Sequence, residues 1–262
     1  MSLNLLIVEG NNPKDSEVFI RAAKASCSEN LKNIVLKLEP SSKITIINPV
    51  NDDETNKALE NMDQYNGVIF TGGAMRLNDM SDEIKKHINF ATNCFKHKNK
   101  ILAICWGLQV CSTAAGGKVA PGKNGVHIGI ATDVEINEDG KNNPIYKNKK
   151  LKFNTPAFNF DEVCELPKGA TLLASDKVNK NMGVYFKSGN SEIWGLQYHP
   201  DYEYWQMINL SNERMGKMIA KEYFKDEEMF KKHIDFIKSE EKSLDFKNKT
   251  YEIQNWLDII KN

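Results

Sequence analysis

Short apolar runs rich in β-branched residues recur through the first hundred positions, separated by segments whose apolar residues return every three or four places. The runs at 3–8, 43–48, 67–70 and 100–105 predict strands. They are apolar at nearly every position, as strands are when a parallel sheet is covered on both faces. Between them the spacing predicts helices, one beginning near Pro13-Lys14-Asp15, one over 54–62 and one over 81–96 with Ser81 as its N-cap. Strand and helix in alternation predict βαβ units. After Gly117 the pattern changes: 128–136, 170–175, 182–187 and 192–197 are short strands between turn residues, predicting an antiparallel or mixed extension of the sheet. Residues 201–224 predict a helix. Two amphipathic segments follow, one presenting Phe230, Ile234 and Ile237, the other Ile253, Trp256, Leu257 and Ile260. The expectation is an α/β domain over 1–224, built on a mostly parallel open sheet with helices on both faces, followed by a helical C-terminal extension over 225–262.

Composition narrows the function classes. Lys and Arg total 35, equal to Asp and Glu, so no net field draws the chain to nucleic acid or an acidic membrane. The amino-terminal apolar run is too short for a secretory signal, and no segment approaches the roughly 20 apolar residues that span a bilayer. Five scattered cysteines, an odd number, fit free thiols in a reducing cytoplasm. No C-x-x-C, H-E-x-x-H or phosphate-loop pattern occurs, so neither metal nor cofactor is expected.

The chemistry concentrates in the stretch Ala103-Ile104-Cys105-Trp106-Gly107, where an apolar strand gives way to a helix. Small residues two before and two after a nucleophile relieve crowding at a sharp strand-to-helix turn. A cysteine there stands at a helix N-terminus, whose partial positive charge favours thiolate. The Trp106 N–H points into the same space and can donate to an oxyanion. A cysteine nucleophile needs a base and the base an orienting acid. His199 follows the strand at 192–197, and Asp201, two residues on, points the same way in extended chain. Upstream, Thr71-Gly72-Gly73 follows the strand at 67–70, and paired glycines let a backbone N–H approach a ligand closely. All three elements end at strand carboxyl ends, where open α/β sheets place their sites.

In that order, TGGA, CWGLQ and HPD resemble the class I, triad-type glutamine amidotransferase family over about residues 3–204, most nearly its stand-alone GMP synthase-like members. The resemblance implies a flavodoxin-like sheet and an enzyme. Cys105 would attack the γ-carboxamide of glutamine to give a γ-glutamyl thioester, His199 would act as general base and acid, and Asp201 would orient it. Gly73 and Trp106 would supply the oxyanion-hole N–H groups, and Gly72 and Gln109 would lie on the substrate side. The pattern departs from the family at three places. Asp201 stands for the usual Glu, and its shorter side chain requires a closer backbone. Ala74 stands for a common Pro, which would loosen the loop. In TPAFNFDEV, Asn159 replaces a common His while Asp161 is retained.

The remaining candidates carry less. Cys27, Cys94, Cys111 and Cys164 read as structural. His127 is a candidate for the pocket rim, while His87, His97 and His233 read as exposed on polar helices. Glu9 reads as a surface cap. No synthetase module follows, so released ammonia would pass to a separate synthetase subunit. The alternatives are a γ-glutamyl hydrolase or peptidase acting on another γ-glutamyl amide, and a catalytically silent binding module. Expected partners are the small-molecule substrate and that synthetase subunit, while Trp256 and the Phe230 face would either meet a second copy of the chain or pack back on the parent domain.

Overall fold

The computed structural model describes residues 2–261. The first half alternates as the apolar runs require: β1 (Asn4–Val8), α1 (Pro13–Ala23), α2 (Cys27–Leu38), β2 (Lys43–Ile47), α3 (Asp52–Glu60), β3 (Gly67–Phe70), α4 (Asp82–Cys94), β4 (Lys100–Ile104) and α5 (Trp106–Ala114). Shorter elements follow: β5 (Lys118–Pro121), β6 (His127–Ile128), β7 (Ala131–Ile136), α6 (Glu138–Asn142), β8 (Lys152–Thr155), β9 (Phe158–Asn159) and β10 (Asp161–Glu165). The chain closes with β11 (Thr171–Ser175), β12 (Gly183–Ser188), β13 (Ser191–Leu196), α7 (Tyr204–Ala220), α8 (Glu227–Glu241) and α9 (Phe246–Lys261).

Among the described residues one nine-stranded sheet runs β2-β1-β3-β4-β13-β12-β11-β7-β8. Its first five strands pair in parallel and the rest are joined antiparallel. Successive side chains alternate between faces, so each parallel strand feeds two cores. Leu5, Ile7, Ile69, Leu102 and Ile104 point to a layer containing Leu31 and Val35 of α2 and Ile253, Trp256 and Leu257 of α9. Leu6, Val8, Val68, Phe70 and Ile101 point the other way, into a layer with Ala58 of α3, Ile84 and Phe90 of α4, and Leu108 and Cys111 of α5.

The helix expected from Pro13 onward is two helices, because Lys24 turns left-handed (φ 64°) at the end of α1 and Ser26 caps α2 by accepting from the Glu29 N–H. α3 begins two residues earlier than expected, at an Asn51 cap that accepts from Asp53 and Glu54. α7 begins at Tyr204, where Glu203 and Gln206 form a reciprocal capping box, and residues 201–203 remain loop. The strands β5, β8, β9 and β10 were not foreseen.

The amphipathic tail turns back on its own chain. Phe230, Ile234 and Ile237 of α8 share a core with Ile128, Tyr204 and Ile208. Trp256 and Leu257 are fully buried. The apolar side chains behind the expected second-copy contact are therefore covered within the chain. Among the described residues no helix is long and apolar enough to cross a membrane.

Removing the Trp256 ring leaves a cavity in a core shared with β1 and β4. Trp256→Ala is expected to destabilise folding by about 3–5 kcal/mol in urea titration. A loss under about 1 kcal/mol would show that α9 does not belong to that core.

Candidate active site

β4 delivers Cys105 to the carboxyl edge of the sheet, and α5 begins with the next residue. Cys105 has φ 49° and ψ −105°, a backbone conformation that non-glycine residues rarely adopt. The reversal is held from both sides. The Cys105 N–H donates to the Leu196 carbonyl at 2.6 Å, and the Gly107 N–H donates to the Thr71 carbonyl at 3.1 Å. A Cβ at position 107 would come within 2.5 Å of the Phe70 carbonyl oxygen, so only glycine lets α5 start this close to β3. Around the sulfur, the Gln197 side-chain amide donates to Sγ at 3.4 Å and the thiol faces the Phe158 carbonyl at 3.7 Å.

His199 leaves the end of β13 and its N–H donates to the Pro156 carbonyl at 2.8 Å. Its Nδ1 lies 3.0 Å from Asp201 Oδ1, so the shorter carboxylate reaches the ring. The imidazole stands edge-on to Tyr202, with 4.9 Å between ring centres. On its other side lies Gly72, where a Cβ would come within 2.5 Å of Cε1. Burial disfavours charge on this imidazole, but Cys105 and Asp201 outweigh it and raise its pKa from 6.5 to about 10. The loop is braced from behind by α9. Fully buried Glu252 accepts from the Tyr198 hydroxyl at 2.6 Å and from Lys149 at 3.0 Å, and Lys249 pairs with Glu203.

Cys105 opens into a cavity of about 280 Å³ that Gly73, Trp106 and Gln109 also line. Gly72 is turned toward His199 instead. The Gln109 amide donates to the Asp161 carbonyl at 2.9 Å and thereby anchors the start of β10. Across the cavity the Arg76 guanidinium grips both carboxylate oxygens of Asp161. The Ala74 N–H donates to Asn11 Oδ1 at 2.7 Å, a bond no proline can make, so the loop expected to loosen is pinned. Asn159 bridges His127 Nδ1 at 2.9 Å and the Asp161 carbonyl at 3.2 Å. His127 itself sits behind it, also bonded to Asp176 at 2.8 Å.

Sequence reasoning did not find Gln197, Arg76 or Arg214, all near the sulfur or on the cavity wall. Only Gln197 left a signal, two residues before His199 on the same side of an extended chain. His87, expected to be exposed, is fully buried. It falls with Ile84, Ala91 and Cys94 on the apolar face of α4, while Lys85 and Lys86 lie on its outer side. Its ring stands edge-on to Trp106 at 4.7 Å, and burial lowers its pKa to about 3. Glu9 is likewise buried, and accepts from the Ser28 N–H at 2.9 Å near the start of α2. Burial raises the pKa of Cys27, Cys94 and Cys111, which keeps them as thiols, and Cys164 is exposed. Among the described residues no three His, Cys, Asp or Glu side chains converge as a metal would require.

Residues 21–206 match the sequence model of the family described as glutamine amidotransferase class-I. The chain is 26% identical to gamma-glutamyl-L-1-hydroxyisopropylamide hydrolase of Pseudomonas sp over 220 residues, 83% of this chain and 74% of that protein. It is 28% identical to a subunit of the glutamine-hydrolyzing GMP synthase of Methanococcus vannielii over 181 residues, 69% of this chain and 81% of that one. In fold it matches a crystal structure of a glutamine amidotransferase from Thermotoga maritima with a TM-score of 0.67, at 17% identity, covering 99% of this chain and 98% of the other.

The charge on His199 ties stability to pH. Its pKa is raised on folding, so its contribution is complete below about 6.5 and is lost as pH climbs to about 10. The Tm difference between the protein and His199→Gln is expected to be largest near pH 6.5 and to shrink steadily toward pH 10. A difference that stays flat across that range would contradict the assigned charge.

Proposed function

This chain belongs to the class I glutamine amidotransferases and is an enzyme of that family, and on that premise we propose that it hydrolyses a γ-glutamyl amide through a thioester on Cys105. One observation carries the reading: Cys105 is held in a left-handed reversal at the start of α5 and opens into a cavity, while His199, whose charge it favours, is buried and bonded to the Asp201 carboxylate.

The thiolate sulfur attacks the γ-carbonyl carbon, and the carbonyl electrons move onto oxygen. That oxyanion lies between the backbone N–H groups of Gly73 and Trp106, fixed dipoles that need no reorganisation as charge develops. Gln197, donating to sulfur, stabilises the anion before attack. His199 gives its proton to the departing nitrogen, the C–N bond breaks, and the γ-glutamyl thioester remains. His199, now neutral, takes a proton from water, whose oxygen attacks the thioester. The thiolate leaves and glutamate is released. Asp201 holds one tautomer of the ring and stabilises the imidazolium on each pass. The net-neutral pair Arg76–Asp161 supplies a cation and an anion for the zwitterionic head of the γ-glutamyl group.

With glutamine the amine is ammonia. The Methanococcus relative is named as a glutamine-hydrolysing subunit, which supports a separate chain as the ammonia acceptor here. A second reading replaces ammonia with a larger amine. It is favoured by the relative named for hydrolysis of a γ-glutamyl amide, whose similarity spans most of both chains. The bond broken and the groups that break it are the same in both. The reading places both reactions in a reducing cytoplasm, where the thiol of Cys105 stays free.

Glutamate release from glutamine and from γ-glutamyl amides is expected for the pure protein. Cys105→Ala should abolish it, and Asp201→Asn should lower kcat about 10²–10⁴-fold by favouring the wrong tautomer. Full activity in Cys105→Ala would overturn the mechanism.

A further inference from the structure

The γ-glutamyl head of the proposed substrate is a zwitterion without net charge, and Arg76 with Asp161 answers it with one charge of each sign. The remaining charged residues that line this cavity are all positive. Arg214, Lys217 and Lys221 fall at i, i+3 and i+7 along one side of α7 and its C-terminal cap, and all three line the cavity that holds Cys105. None makes a side-chain hydrogen bond or ion pair with another described residue. Lys217 and Lys221 are exposed, and their place in the last turn also suits the helix dipole. That accounts for neither of two facts: they face the cavity, and Arg214 stands further back in the helix.

Arg214 is the more telling of the three. Its guanidinium is half-buried, 5.0 Å from the ring centre of Phe158 and 5.7 Å from that of Phe19. Stacking on rings holds a guanidinium in place yet leaves its in-plane N–H donors free for a carboxylate. Asp15 and Glu213 act on it through space, without contact. Phe158, under Arg214, is also the residue whose carbonyl faces the Cys105 sulfur. The unpaired cations therefore begin one residue away from the reacting atom, on the wall formed by α7.

We propose that this wall binds an anion carried by the leaving amine, so that the enzyme prefers γ-glutamyl amides whose amine bears a carboxylate, that is γ-glutamyl amino acids and peptides. This rests on the γ-glutamyl amidase reading above. The chemistry is unchanged: the C–N bond to the amino acid breaks, its nitrogen takes the His199 proton, and water later supplies the hydroxyl of glutamate. Arg214 holds the carboxylate edge-on, while Lys217 and Lys221 add charge at the rim. Exposed pairs of this kind contribute up to a few-fold each, so together they give a preference of about tenfold or more.

The test compares kcat/KM for γ-glutamyl-glycine with its neutral isostere γ-glutamyl-glycinamide, with glutamine alongside. The dipeptide is expected to be preferred about tenfold, through KM more than kcat, and raised salt should shrink the preference. Lys217→Gln with Lys221→Gln, both exposed and so safe for folding, should cut the preference several-fold, and Arg214→Gln should cut it further. Equal kcat/KM for the two amides, or a preference intact in the double variant, would overturn the proposal alone. No turnover of any of the three compounds would overturn the amidase reading and this one with it. A still greater preference for γ-glutamyl-phosphoethanolamine would assign the wall to phosphate and overturn the carboxylate assignment.

Discussion

The backbone reversal at Cys105 is the constraint around which this structure is arranged. A cysteine gains nothing locally from a left-handed φ, and such a conformation costs on the order of 1–3 kcal/mol. It persists because the neighbours over-determine it: β13 binds the Cys105 N–H, the Thr71 carbonyl just past β3 binds the Gly107 N–H, and α5 is pressed against Phe70 with no room for a side chain at 107. Those bonds can exist only if β3, β4 and β13 are adjacent and parallel, as the apolar strands make them. The core thus stabilises a conformation whose benefit, in the proposed reaction, is a sulfur lifted off the sheet at the positive end of a helix.

The opposite half of the site is fixed from further away. His199 sits on a loop between β13 and α7, and loops alone position side chains poorly. Here the residue before it, Tyr198, is held by a buried carboxylate of α9, and Glu203 at the start of α7 is held by a lysine of α9. Removing Glu252 would leave the buried ammonium of Lys149 without its counter-charge, which is destabilising. The C-terminal helix that fills the core with Trp256 therefore also braces the segment carrying His199 and Asp201. Packing and site geometry share the same element.

Much of this was legible in the sequence, for identifiable reasons. Parallel strands buried on both faces read as unbroken apolar runs, so β1 to β4 stood out, and the small residues around Cys105 marked the turn. What escaped were features set by contacts distant in sequence. The edge strand β8 carries Lys152 and Asn154, and it pairs only because β7 comes alongside. His87 is the exception: the period of α4 alone puts it on the buried face, and its lysine neighbours masked that. Arg76 and Arg214 lie far apart in the chain, and nothing in the local pattern of either brings them to one cavity. α9 read as an amphipathic helix in need of a partner, and its partner proved to be the sheet of its own chain.

The central claim is a covalent one, and the most direct measurement looks for the bond. The protein is mixed with a γ-glutamyl amide, quenched in acid during steady turnover, digested and analysed by mass spectrometry. A peptide containing Cys105 is predicted to carry the added mass of one γ-glutamyl group, and hydroxylamine treatment before digestion should remove it. Continued glutamate release with the adduct on another residue would contradict the account.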